Sequence, residues 1–119
     1  MNFTPSQIEA LEISAKHWRK NLEYAKNEDI DLICIKSNTC ECCSRFYNTK
    51  DDFMGVCAEC PISQYSECTG CECTPWTEVR DLLGTYSYRK NVPIDKIIEA
   101  VEEECEFLEA LARGEDPMI

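Results

Sequence analysis

Apolar residues near the start of the chain recur every three or four positions, which is the period of an amphipathic helix. Thr4 suits the N-cap, Pro5 suits the first helical position, and Gln7 completes a capping box with Thr4. The pattern predicts a helix over residues 4–26. Its apolar positions form one stripe, made of Ile8, Leu11, Ala15, Trp18, Leu22 and Ala25. We interpret this stripe as the face that packs on the rest of the domain, with a homodimer seam as the alternative.

A second helical pattern fills residues 93–113 and ends just before Gly114. Its apolar face consists of Ile94, Ile97, Ile98, Val101, Cys105, Leu108 and Ala112. Its other side is acidic and consists of Glu102, Glu103, Glu104, Glu106 and Glu109. Such a face is ordinarily a solvated surface, and a docking surface for a basic partner is the alternative hypothesis. Cys105 falls among the apolar positions, so we predict a core residue there.

Two shorter elements are predicted between the long helices. Residues 30–36 are rich in β-branched side chains and predict a strand or an extended lead-in, with Cys34 as a small buried residue. Thr74 and Pro75 provide a cap and a first position for a short helix, and Gly84 predicts its end. Residues 85–91 then predict a polar connector.

The centre of the chain, residues 40–76, is dominated by cysteine. Eight of the ten cysteines lie between positions 40 and 73. Three pairs have two residues between their members: Cys40/Cys43, Cys57/Cys60 and Cys68/Cys71. This spacing lets two thiolates bind one ion from a tight turn, and tetrahedral Zn²⁺ takes four such ligands from two turns.

The strongest ligand set joins Cys40 and Cys43 with Cys57 and Cys60. The remaining cysteines leave two alternatives open: they complete a second site, or Cys71 replaces one of the first four ligands. These remaining cysteines are Cys42, Cys68, Cys71 and Cys73. An iron–sulfur cluster also takes four cysteines, but its bacterial spacing is absent, so we favour one or two zinc ions.

The acidic composition limits the partners of the protein. The formal net charge is −11, and each zinc ion held by four thiolates changes it by −4 + 2 = −2. Phosphate backbones attract Lys and Arg, so the charge argues against nucleic acid. The sequence shows no signal-peptide run and no segment of membrane-spanning length. We therefore expect no membrane association and a reducing cytosol, where such a cysteine pattern binds metal rather than forming disulfides.

The motifs of the common zinc and nucleotide enzymes are missing. No His-x-Glu precedes a Pro-Cys-x-x-Cys run, and four glycines in all leave little room for a phosphate-binding loop. A set of thiolates in surplus indicates a closed structural site rather than a catalytic zinc with an open position. Cys71 and Cys73 directly precede a predicted helix start, which stabilises thiolates for metal binding and would equally favour reactive cysteines.

Three motifs together are similar to those of a known group. Cys40-x₂-Cys43, Cys57-x₂-Cys60-Pro61-Ile62 and Cys71-x-Cys73-Thr74-Pro75-Trp76 resemble motifs of small uncharacterised proteins from tailed bacteriophages. The resemblance covers residues 40–76 and, loosely, the flanking helices. It implies metal-binding roles for Cys40, Cys43, Cys57, Cys60 and Cys71, and a phage protein that works in the cytoplasm of the bacterial host. Cys42, Cys68 and Cys73 depart from the group's pattern, which leaves the number of metal ions open.

The predicted fold is a small α-rich (α+β) domain over 1–119 that is stapled by metal. Two long helices flank a cysteine-rich centre similar to a zinc ribbon or treble clef, and Cys34 and Cys105 carry no metal. The predicted function is protein binding by a phage accessory protein on a host factor, for example a defence or transcription complex. A redox or iron–sulfur protein is the first alternative, and a nucleic-acid-binding zinc module is the second.

Overall fold

The computed structural model describes residues 3–35, 61–66, 74–89 and 92–115. Its elements are α1 (Pro5–Lys26), a 3₁₀ helix (Ile30–Leu32), α2 (Pro61–Ser66), α3 (Trp76–Arg89) and α4 (Ile94–Ala112). No strand occurs within these ranges. The described part is helical, so the predicted α+β class with a ribbon-like or treble-clef-like centre is wrong. The described pieces of that centre, 61–66 and 74–76, form a helix and the start of another.

The start of α1 follows the capping box that the sequence predicts. The Gln7 backbone N–H donates to Thr4 Oγ1 at 3.2 Å, and the Thr4 N–H donates to Gln7 Oε1 at 2.8 Å. The helix ends at Lys26 with Asn27 as its C-cap, and the next residue, Glu28, has a left-handed backbone with φ of 61°. Two hydrogen bonds, from Glu28 to Ala25 and from Asp29 to Tyr24, make this end a Schellman motif. The predicted bounds of α1 are confirmed.

Residues 30–35 form no strand, which was one of the two predicted alternatives, and the backbone is extended at Ile33, as the other alternative predicts. Ile30 is buried in the core and opens a 3₁₀ helix, and Ile33 then turns to an extended backbone. The backbone N–H and C=O of Cys34 both bond to the side chain of Asn21 on α1. A strand needs those same groups for its ladder, so the buried amide takes the place of a partner strand. The β-branched residues of this segment favour a strand only weakly, and the hydrogen bonds between Asn21 and Cys34 outweigh that preference.

Helix α4 packs against both α1 and α3. The stripe on α1 and the apolar face of α4 supply most of the core, with Ile62 from α2 and Val79 from α3. Leu11, Ala15, Trp18, Leu22 and Ala25 of the stripe are buried within the chain itself. The stripe is therefore covered and does not offer a seam to a second copy.

The two faces of α4 divide differently from the prediction at one residue. Glu104 is only 2% exposed and lies on the buried side, whereas Glu102, Glu103 and Glu106 are exposed. Its position follows from the helical period, since residues 97, 101, 104, 108 and 111 lie at steps of three and four. Cys105 is fully buried, which confirms it as a core residue. Among the described helices, none combines the length and the apolarity that a membrane crossing requires.

Helix α3 extends beyond its predicted end. The structure continues the helix through Gly84 to Arg89, so the predicted stop at Gly84 and the connector from residue 85 are wrong. Tyr86 and Leu83 pack against the core, and this packing keeps the chain helical after the glycine. A glycine inside a helix lowers its stability but does not end it when tertiary contacts continue.

Replacement by Ala is expected to have opposite effects on stability at two glycines, Gly84 and Gly114. Replacing Gly84 with Ala is expected to raise the free energy of unfolding by about 0.5–1 kcal/mol, because a methyl group there meets no atom within 4 Å and the unfolded chain loses freedom. The same change at Gly114 is expected to lower it, since its φ of 79° favours glycine. Urea unfolding measures both. A loss of stability in Gly84→Ala would mean that this helix face needs the glycine.

Candidate functional site

The predicted metal ligands lie outside the described residues. They are Cys40, Cys42, Cys43, Cys57, Cys60, Cys68, Cys71 and Cys73. Two cysteines are described, Cys34 and Cys105, and neither forms a disulfide. In the described ranges no three His, Cys, Asp or Glu side chains come together in a way that could hold a metal ion. The ligand set therefore stays a prediction, and the structure describes the residues that border it.

The chain enters the cysteine-rich stretch from a fixed point on α1. Asn21 Nδ2 donates to the Cys34 carbonyl at 3.0 Å, and Asn21 Oδ1 accepts from the Cys34 N–H at 3.1 Å. His17 Nε2 lies 2.9 Å from the same carbonyl oxygen. A carbonyl only accepts, so this nitrogen carries the proton and donates. His17 is partly covered, and its Nε2 is engaged by this hydrogen bond rather than open to a metal.

The chain leaves the stretch at a second fixed point, which is bonded to the first. Trp76 Nε1 donates to the Ile35 carbonyl at 3.2 Å, across 41 positions of sequence. Thr74 is buried, and its Oγ1 accepts from the Trp76 N–H at 3.3 Å. The guanidinium of Arg80 stacks over the Trp76 ring at 5.3 Å. The hydrogen bond between Trp76 and Ile35 thus joins the two ends of residues 36–73.

A third fixed point lies inside the stretch, at α2. Pro61 and Ile62 are both fully buried in the core. Tyr65 meets Phe107 of α4 edge to face, with 5.7 Å between the ring centroids. This helix was not predicted, although its signal is present in the sequence, since Pro61 occupies the first helical position as Pro5 does. Helix α2 attaches the middle of the stretch to the last helix.

These fixed points border the predicted ligands directly. Cys60 is bonded to Pro61, and Cys73 is bonded to Thr74. Pro61 and Thr74 are both buried, so the described neighbours of these two predicted ligands belong to the core.

The surroundings of Cys105 disfavour the thiolate, unlike those of a metal-binding or reactive cysteine. Burial raises its pKa to about 12, and the carboxylates of Glu109 and Glu104 act in the same direction against the nearby Arg19. The thiolate is the form that binds metal or attacks an electrophile. Cys105 is therefore held as a neutral thiol at physiological pH and serves packing.

The exposed acidic face of α4 is the second candidate feature. Its carboxylates border a shallow depression of about 320 Å³ that is lined by Asp95, Ile98, Glu99, Glu102, Glu103 and Glu106. Glu109 is not part of it, because Arg19 of α1 binds both its oxygens at 2.6 and 2.7 Å. That contact lowers the pKa of Glu109 and raises the pKa of Arg19. The carboxylates of α4 that form no ion pair within the described part of the chain thus lie away from α1.

Like charges crowd around Glu103. Partial burial raises the pKa of Glu103, and the neighbouring carboxylates of Glu78 on α3 and Glu99 on α4 raise it further. A side-chain hydrogen bond to Glu78 also favours the protonated form. The carboxylates of Glu78, Glu99 and Glu103 therefore lie close enough for their like charges to disfavour ionisation of Glu103.

Replacing Glu103 with Gln is expected to stabilise the protein at pH 7 by about 0.2–0.5 kcal/mol, the size of a like-charge pair on a helix. Because the folded pKa is raised, folding favours the protonated carboxyl, and this contribution is complete below the ordinary pKa of 4.5 and lost as pH rises through the folded pKa. The gain should therefore vanish below about pH 4. Urea unfolding from pH 3 to 8 measures it, with Glu12→Gln on α1 as the control. An equal gain in stability in Glu103→Gln and Glu12→Gln would contradict the assignment of this gain to the like charges around Glu103.

Comparison of the chain with protein-family models, with curated proteins and with solved structures finds no match.

Proposed function

We propose that this chain is a zinc-binding protein that acts by binding another protein, as an accessory factor of a tailed phage in the cytoplasm of its bacterial host. One observation carries the proposal: a stretch with eight cysteines is attached at both ends and in its middle to a single helical core. A site attached in this way suits a structural role. Function then depends on the surface that the stapled fold presents.

The donor set fits zinc. Pairs of thiolates with two residues between their members are the ligands of closed tetrahedral zinc sites. Cys40, Cys43, Cys57 and Cys60 would hold the first ion. Cys71 would either replace one of these four ligands or join Cys42, Cys68 and Cys73 in a second site. When bound, zinc supplies a cross-link between distant parts of the chain, and its binding free energy adds to the stability of the fold.

Metal analysis tests the first half of this proposal. Protein purified without added metal is expected to contain one or two zinc ions per chain and to show no absorption in the visible region. A visible charge-transfer band with bound iron would favour an iron–sulfur protein instead. A metal-free, fully folded chain would contradict the proposal in either form.

The acidic face of α4 is the surface that we assign to the partner. The stripe on α1 is covered by the chain itself, whereas Glu102, Glu103 and Glu106 are exposed together. A basic surface on a host protein would complement them, and complementary charge accelerates association more than it tightens binding. The same charge repels nucleic-acid backbones, which is why we place a protein rather than nucleic acid in this role.

Charge reversal tests the second half of this proposal. Proteins captured from host lysate are compared for the wild type and for a variant with Glu102, Glu103 and Glu106 changed to Lys. A control variant carries the same reversal at Glu9, Glu12 and Glu23 on α1. We expect the α4 variant alone to lose the partner, with metal content unchanged. Equal capture by all three chains at low and at physiological salt would exclude the acidic face as the docking surface.

A further inference from the structure

We infer that the exposed face of α3 pairs with the same face of a second copy of the chain. The two helices run antiparallel and are related by a two-fold axis at Gly84. This contact involves neither the metal nor the acidic face of α4, so it goes beyond the proposed function.

The side of α3 that faces away from the core carries a shallow depression of about 690 Å³. Its lining consists of Arg80, Asp81, Gly84, Thr85 and Tyr88. Tyr88 is 94% exposed and is the most exposed large apolar side chain in the described part of the chain. Tyrosine and arginine are enriched among the residues that contribute most to protein interfaces. This combination is therefore typical of a contact surface.

The middle of this face is a glycine that packing within the chain does not require. A Cβ atom at Gly84 would meet nothing within 4 Å, and the residue lies inside α3. A glycine inside a helix lowers its stability relative to alanine, so folding of one copy alone would favour a side chain here. What a glycine allows is the close approach of another backbone.

The residues around Gly84 fit a second copy placed antiparallel to the first. Arg80 and Tyr88 each lie four residues from Gly84, about 6 Å along the helix axis in opposite directions. A two-fold axis at Gly84 therefore sets Arg80 of each copy opposite Tyr88 of the other. In the same way it sets Asp81 opposite Ser87, whose hydroxyl can donate to the carboxylate. A parallel pair would instead set the two Arg80 side chains against each other.

The side chain of Arg80 is already ordered for this contact. Its guanidinium lies 5.3 Å from the centroid of the Trp76 ring, and its Nε and Nη2 both donate to Asp81 Oδ1 at 3.2 Å. The side chain nevertheless stays 46% exposed. A planar cation can stack between two rings, so Tyr88 of the second copy would cover the open side of the guanidinium. Because the group is held beforehand, less ordering is needed when the copies associate.

Charge and size together predict a weak dimer. Arg80 and Asp81 balance each other on the α3 face, whereas each whole chain carries a formal charge of −11. A contact confined to one face of a 14-residue helix buries less than the roughly 1,200–2,000 Å² of a stable complex. Salt screens the repulsion between two acidic chains, so added salt should strengthen the dimer. Binding of a basic partner to the acidic face of α4 should weaken with salt instead.

Sedimentation equilibrium of the full chain, from micromolar to millimolar concentration, measures the association. We expect a monomer–dimer equilibrium. Tyr88→Arg sets two arginines together and should weaken it about ten- to thirtyfold, the effect of losing a central interface residue. Gly84→Glu places two carboxylates at the two-fold axis and should act similarly. Leu32→Glu adds the same charge at an exposed apolar residue outside α3 and should keep the dimer.

Two further variants separate this contact from a general loss of stability. Exchanging the paired residues, by combining Arg80→Tyr with Tyr88→Arg, should restore much of the association that Tyr88→Arg alone removes. Gly84→Ala should raise the stability of the dilute chain toward urea and yet weaken the dimer, because a methyl group separates the two backbones. Circular dichroism confirms that each variant folds, which the exposure of Gly84 and Tyr88 leads us to expect.

A wild type that stays monomeric at every concentration and salt would overturn the inference. A dimer that Tyr88→Arg and Gly84→Glu leave unchanged would also overturn it, since the contact would lie elsewhere. A monomeric wild type that loses a captured host protein through Tyr88→Arg would place a different protein on this face. Reversal of Glu102, Glu103 and Glu106 on α4 should not weaken the dimer, so the proposed function and this contact can fail separately.

Discussion

Replacing Cys60 with Ser is expected to lower the free energy of unfolding by about 2–5 kcal/mol, which is the effect of removing a native cross-link from a small domain. Cys60 is a predicted ligand and directly precedes Pro61, which is buried in the core. Loss of the metal would therefore release a segment next to a fixed point. Thermal melting with and without a zinc chelator measures the same contribution without a substitution.

Cys105→Ala provides the comparison for Cys60→Ser. Cys105 is buried and packs in the core, so its loss should lower stability by about 1 kcal/mol and leave zinc content unchanged. The chelator should then destabilise Cys105→Ala as much as the wild type, and Cys60→Ser much less. A melting temperature that does not respond to the chelator would contradict the role of metal as a staple.

Replacing Leu108 with Ala is expected to lower the free energy of unfolding by about 2–5 kcal/mol. Leu108 is 1% exposed and belongs to the face of α4 that packs on the core. The change removes buried methyl groups and leaves a cavity that a close-packed helix interface fills poorly. Urea unfolding followed by circular dichroism measures the loss, because the described part of the chain is helical.

The same substitution at Leu32 is the control for Leu108→Ala. Leu32 lies in the 3₁₀ helix and is 57% exposed, so we expect a change of about 0.5 kcal/mol or less. Similar losses in both variants would mean that the packing of α1 against α4 contributes little to stability. In that case the cysteine-rich stretch would have to contribute the larger share of the free energy of unfolding.

The long helices were predictable because their signals are local. The capping box of Thr4 and Gln7 and the stripe on α1 lie within one stretch of sequence, and the apolar face of α4 has the same simple period. Glu104 could have been placed correctly from that period alone. Composition predicts an exposed position instead, because Glu104 stands in a run of acidic residues, which is typical of a surface.

The borders of the cysteine-rich stretch were not predictable for the opposite reason. Asn21 and His17 bond to Cys34 across 13 and 17 positions, and Trp76 bonds to Ile35 across 41. Polar side chains carry no pattern that identifies a distant backbone partner. Of the two alternatives predicted for residues 30–36, such a partner excludes the strand at Cys34, whereas the extended backbone at Ile33 fits the lead-in. The predicted ligands rest on spacing alone, since they lie outside the described residues.

The placement of the two tryptophans makes the protein its own optical probe. Trp18 is 4% exposed, whereas Trp76 is partly exposed, lies under Arg80 and donates to Ile35. A dissolved quencher should reach the indole of Trp76 much more readily than that of Trp18. The Trp18→Phe variant then leaves a single emitter at the junction of the two ends. Its emission maximum would report opening of that junction in real time, without an attached dye.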